Sequence, residues 1–243
     1  MTKTHYFYIG YGLLCLLGIT SPLLNPWEGA TTVWDRLYLK FYGVSPYGGF
    51  SLLSFLFYSI IYTGFLYQFQ LFLTDYLSGR FYYTAIRYQS LARWFIHLGW
   101  QMSYKAACFL VVLATVTVLI GLALGDSPEL TVSVLSNLTV IQLLIQFLLN
   151  GWLQLMNGLM IVFITAWVFK EPSYNLIAMG LLTIAALPVL NAGGWLPAGL
   201  NSTAYLSGQW EDLILITMKL VVYLLIQLVV IAVLFKRKNI AFY

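Results

Sequence analysis

Apolar residues gather in six runs, at about residues 7–24, 50–73, 105–124, 145–169, 175–191 and 213–235, and the stretches between them hold nearly every charge. An α-helix crosses the hydrocarbon of a bilayer in about 20 residues, so the pattern predicts an all-α, polytopic membrane protein with six transmembrane helices. No soluble stretch and no repeat of fixed period interrupts it, and residues 1–243 read as a single transmembrane domain.

Two regions complicate the six-run pattern. Glu129 and Lys170 are separated by about forty uncharged residues, twice what one crossing needs. Two crossings there would carry Lys170 and the basic run Lys236-Arg237-Lys238 to the side that holds the acids. One crossing is therefore expected, preceded by a helix that lies at, or dips into, the outer face within residues 126–150. Residues 25–49 and 192–210 combine Trp, Tyr, Gly and Pro, the composition of interfacial or re-entrant outer segments, and the second is expected to re-enter the membrane partway.

Composition strengthens the membrane reading and charge orients it. The chain is 61% hydrophobic and 8% charged, whereas a soluble domain carries about 25% charged residues. With the N terminus inside, nine Lys and Arg fall in inner segments and only Arg36 and Lys40 in outer ones. The excess of inner basic residues predicts that both termini are cytoplasmic. The first run is followed by SPLLNP, a poor cleavage site, and is expected to be a retained helix.

Several chemistries are unsupported. His5 and His97 have no Cys, Asp or Glu at ligand spacing, Cys15 and Cys108 sit inside apolar runs, and no GxxxxGK[ST] phosphate loop occurs. The chain is not expected to be an enzyme, to hold a metal or cofactor, or to bind nucleic acid.

Two polar features stand out in the spans. Thr139, Gln142, Gln146, Asn150, Gln154 and Asn157 recur every three or four residues, which places them within a roughly 120° arc of one helix face. Amides in lipid need partners, so this face is either interhelical hydrogen-bond glue or the lining of a substrate path or of a seam between subunits. Lys219 lies about two turns inside the last span, where it either snorkels back toward Glu211 and Asp212 or faces a water-filled cavity.

The connection between the second and third runs, residues 74–104, contains YYTAIRYQSLARWF, two arginines among aromatic residues. Such a segment suits the lipid surface, and it equally suits docking to a soluble partner. The six-span layout and the stretch Ile86-Arg87-Tyr88-Gln89-Ser90-Leu91-Ala92-Arg93-Trp94 resemble the membrane subunits of type-2 ABC exporters. More narrowly, they resemble the small permeases of bacteriocin and lantibiotic export or immunity systems in Gram-positive bacteria. Leu91 stands where those permeases often carry a basic residue.

The resemblance implies a permease of the bacterial cytoplasmic membrane that exports an amphipathic peptide or lipid-like substrate. Ile86, Arg87, Ser90, Arg93 and Trp94 would form the coupling segment for a separate ABC ATPase subunit, which would bind ATP and Mg. The permease would work as a homodimer or beside a similar second permease. The alternative is a non-transporting scaffold or immunity protein that binds a peptide or a partner enzyme directly.

Overall fold

The computed structural model describes residues 3–21, 30–45, 51–75, 90–191 and 193–237. Its helices, in chain order, are α1 (Lys3–Thr20), α2 (Val33–Lys40), α3 (Leu52–Asp75), α4 (Leu91–Ala123), α5 (Val140–Phe169), α6 (Pro172–Ala185) and α7 (Trp210–Arg237). No strand occurs among the described residues; Thr32 and Ser127 form an isolated bridge. Helices α3, α4, α5 and α7 are long and apolar enough to cross a membrane, whereas α6, with 14 residues, is not. At 1.5 Å per residue α6 covers about 21 Å of a hydrocarbon core about 30 Å thick.

The helix ends follow local chemistry. Thr32 and Asp35 form a reciprocal capping box at the start of α2, and Thr139 and Gln142 form another at the start of α5. Lys170 closes α5 in the left-handed conformation at φ 59°, and Pro172 opens α6 two residues later, where its missing N–H is harmless. Helix α6 stops at Ala185 because Pro188 cannot extend it, and Gly193 and Gly194 then take φ of +78° and +63°.

These boundaries correct two expectations. The fifth run is expected to be apolar helix over 175–191; the helix runs from Pro172 to Ala185, and the described residues from there to 209 are turns and loops with one 3-10 turn at Thr203–Tyr205. No helix precedes α5 within residues 126–139, which are irregular. Within the expected cytoplasmic connection 74–104, α3 reaches Asp75 and α4 begins at Leu91. Residues 76–89 of it, including Ile86 and Arg87, lie outside the described residues.

Helix α5 is the hub and touches α3, α4, α6 and α7. Of its most apolar stretch 61% is buried within the chain, against 17% for α7, so most of α7 presents side chains such as Leu215, Val222 and Val229 outward. In lipid that is an ordinary helix surface, because lipid tails are as apolar as leucine.

Two different clusters close the ends of the helix layer. At one end Trp94 and Phe95 of α4 pack on Phe163 and Trp167 of α5 and on Phe235 of α7, with ring centroids 4.9–6.3 Å apart. At the other, Asp35 of α2 is fully buried and accepts bonds from the backbone N–H groups of Thr31, Thr32, Ser133 and Val134 and from the hydroxyls of Thr31 and Ser133. Beside it, Arg36 grips Asp126 with two nitrogens, at 2.5 and 2.9 Å. Burial alone would raise the Asp35 carboxyl, but the bonds from Ser133, Thr32, Val134 and Thr31 outweigh it and hold the group below the usual carboxylate range.

Candidate functional site

Backbone N–H and C=O groups exposed to hydrocarbon cost several kcal/mol each, so irregular chain at membrane depth must be enclosed by protein or must line a cavity. Residues 198–206 meet that condition, while Val189, Leu190, Trp195 and Leu196 before them are exposed. Leu200, Asn201, Ser202, Thr203 and Ala204 are buried, and the segment is laced to three neighbours. Thr203 and Ala204 donate their N–H groups to Phe41 O and Tyr42 O at 3.2 Å each, and the Thr203 hydroxyl donates to Tyr38 O at 2.6 Å. The Ser202 hydroxyl accepts from Val44 N–H at 2.9 Å and donates to Tyr42 O, while Tyr58 donates its hydroxyl to Asn201 Oδ1. Asn191 ties the entrance of the segment together by bonding Leu196 N–H, Leu196 O and Ala198 O.

Helix α5 supplies the third wall. Residues Ile145–Asn150 form a π-helical turn, a local widening that is frequent at functional sites. From this turn Gln146 Nε2 reaches both Leu200 O, at 2.8 Å, and Ser202 O, at 2.9 Å. Asn150 Nδ2 donates to Gln146 Oε1 at 2.7 Å, and the Thr217 hydroxyl of α7 donates to Asn150 Oδ1 at 2.8 Å. One turn earlier Gln142 Nε2 donates to Gly208 O, at 3.0 Å. Further along, Asn157 Nδ2 donates to Leu220 O of α7, at 3.1 Å.

Four amides of the expected polar face, at Gln142, Gln146, Asn150 and Asn157, are thus buried and donate hydrogen bonds within the chain, which fits the glue reading, although Asn157 Oδ1 has no partner. For Gln142 and Gln146 the physical reason is the half-length of α6: the chain that replaces its missing turns leaves carbonyls that need donors in a dry place. Gln154 differs. It is partly buried, its Oε1 has no hydrogen-bond partner, and it lines a cleft of about 40 Å³. The other polar walls of that cleft include Ser59, Thr63 and Thr183.

Lys219 is half-buried and bonded to the segment after α6. Its Nζ donates to Gly194 O at 3.0 Å and Gly193 O at 3.4 Å and lies 5.5 Å from the centre of the Trp195 ring. The lysine fastens the irregular segment to α7, and Tyr223 adds a hydroxyl bond to Trp195 O one turn away.

The expected coupling residues are also sorted. Ser90 is the N-cap position of α4, and Arg93 is exposed. Trp94 is not a surface anchor: at 3% exposure it belongs to the aromatic cluster with Phe163 and Trp167. At the opposite end Asp35, Asn201 and Ser202 hold the chain together, and none of them belongs to the expected site. The Thr32-x-x-Asp35 spacing is a readable capping signal, whereas nothing local marks the other two.

The fold and the site define a multi-pass, all-helical membrane protein in which one helix breaks off partway and irregular chain continues from it. Comparison of the chain with family models, with curated proteins and with solved structures gives no match.

Proposed function

We propose that the chain is the membrane subunit of an ABC exporter of the bacterial cytoplasmic membrane, with six crossings, both termini cytoplasmic and ATP bound by a separate subunit. The observation that carries this reading is the broken fifth crossing, α6 followed by residues 186–209, docked on the π-helical turn of α5. Transporters build their moving and binding parts from discontinuous helices of this kind. The arginine-containing stretch that ends at Arg93 supports the same reading on the sequence side.

In this mechanism an ATPase presses on the segment before α4. Trp94 transmits the push, because its ring packs on Phe163 and Trp167, and Trp167 in turn meets Phe235. A shift of α4 is thereby felt by α5 and α7, the two helices that hold the irregular segment through Gln146 and Lys219. The transported molecule is an amphipathic peptide or lipid-like compound, in keeping with mostly apolar walls. A second copy of the chain or a similar permease completes the transporter.

A second reading, a non-transporting scaffold or immunity protein, is favoured by one observation. Four of the five spanning amides are bonded within the chain, as a static protein requires. Purification from its native membrane in mild detergent separates the two. A phosphate-loop ATPase in stoichiometric amount, lost on Arg93→Glu, is expected of the permease; a preparation that holds a peptide or enzyme and no ATPase sinks it.

A further inference from the structure

The cleft beside the broken helix collects oxygen atoms that have electron pairs to offer and nothing to receive them. Gln154 Oε1 and Ser59 Oγ have no hydrogen-bond partner, although both atoms are buried. Thr183 donates its only hydroxyl proton to Met179 O at 3.0 Å. The 3.0 Å contact between Thr63 Oγ1 and Thr183 Oγ1 must then use the proton of Thr63, which leaves the lone pairs of Thr63 toward the cleft it lines. Ala186, just past the last residue of α6, lines the same cleft, so the negative end of the helix dipole lies at its edge.

Depth adds to the argument. Thr63 is the twelfth residue of the 24-residue α3 (63 − 52 + 1 = 12), which places the cleft at the middle of that crossing. An acceptor without a donor in such a place is costly. The cleft is small, about 40 Å³, while one water needs about 10–15 Å³ measured in the same way. It admits a small ion with one or two waters, or a single ammonium group, and not a whole amphipathic molecule.

From these features we infer that the cleft bounded by Ser59, Thr63, Gln154 and the C-terminal end of α6 is a binding site for a monovalent cation, either an alkali ion or the ammonium group of a ligand. A divalent ion is disfavoured because calcium and magnesium rely on carboxylates, and no group of three or more His, Cys, Asp or Glu capable of holding a metal occurs among the described residues. Half-helix C-terminal ends with unwound carbonyls are the usual surroundings of sodium in discontinuous membrane helices. The inference does not depend on an ATPase partner and holds whether the chain transports or not.

The test is made on the purified full chain in detergent, melted in sodium, potassium, methylammonium or choline chloride at equal ionic strength. One of the first three is expected to raise Tm over choline, saturably and by about 3 °C at ten times its dissociation constant. Protection by sodium or potassium identifies an alkali ion, and protection by methylammonium alone identifies a ligand ammonium group. Ser59→Ala and Gln154→Leu should each weaken that protection about tenfold while melting in choline near the wild-type temperature. If Gln154→Leu does not fold, Thr63→Val takes its place, since it removes an acceptor at nearly constant volume. Equal melting in all four salts, or protection that survives in Ser59→Ala and in the second variant, overturns the site.

Discussion

At the scale of single residues, Asp35 concentrates more hydrogen bonds than any other side chain described above. Six donors converge on a carboxylate at 0% exposure, and two of its donor residues lie about a hundred positions later in the chain. Asp35→Asn keeps the shape but turns an NH₂ group toward N–H donors. A loss of about 2–3 kcal/mol is expected, since bonds to a charged acceptor contribute about 1.5–3 kcal/mol. The sign of the pH effect follows from the lowered folded pKa. Stability from Asp35 is fully present above its unfolded pKa of about 3.9 and fades as pH falls through the folded value. Melting curves between neutral pH and about pH 3 should therefore fall more steeply for the wild type than for Asp35→Asn; parallel curves would show that the bonds contribute nothing. The cap itself is legible in the sequence as Thr32-x-x-Asp35, but Ser133 and Val134 are not, because no periodic signal links a capping residue to a loop so distant in the chain.

At the scale of elements, the periodicity of the sequence locates the four long apolar helices and the two shorter ones found among the described residues, and misjudges how two of them behave at their ends. The start of α4 was obscured by LARWFIHLGWQMSY, whose mixed aromatic and polar residues read as an interface, although Trp94, Leu98 and Met102 face the core at helical spacing. Helix α6 looked like a full crossing because PVLNAGGW continues the apolar run, and only Pro188 and the paired glycines mark the break. The spacing of the amides on α5 was legible, but their partners were not, since Leu200 O and Ser202 O come from a segment with no regular structure. The glue assignment predicts the behaviour of Gln146→Leu with Asn150→Leu. The double variant strips two buried carbonyls of their donor and leaves the Thr217 hydroxyl only its bond to Leu213 O, each lost bond worth about 0.6 kcal/mol and up to about 1.7 in membranes. Tm should fall by about 4–8 °C on that sum. An unchanged Tm would mean that the amides face water instead, and would return them to the path-lining role.

At the scale of the whole molecule, the two end clusters define the layer that the bilayer must fill. Helix α4, at 33 residues, is about 50 Å long, slightly more than the roughly 40–45 Å of a bilayer with its headgroups. The aromatic cluster around Trp94 and Trp167 and the polar clamp around Asp35 and Asp126 lie near its opposite ends, where each kind of group is least costly. Which end faces the cytoplasm rests on charge. Lys170 and Lys236 are exposed at the aromatic end, and Glu129 is exposed at the clamped end. The cytoplasm should therefore meet the aromatic end, where an ATPase would have to dock. Single cysteines decide the matter in a background with Cys15 and Cys108 replaced by alanine, the first being buried and the second exposed. Glu129→Cys should react with a membrane-impermeant maleimide in intact cells, and Lys170→Cys only after the cells are opened. The reverse pattern would place the segment before α4 outside the cell, away from any ATP, and would leave the scaffold or immunity reading as the one to pursue.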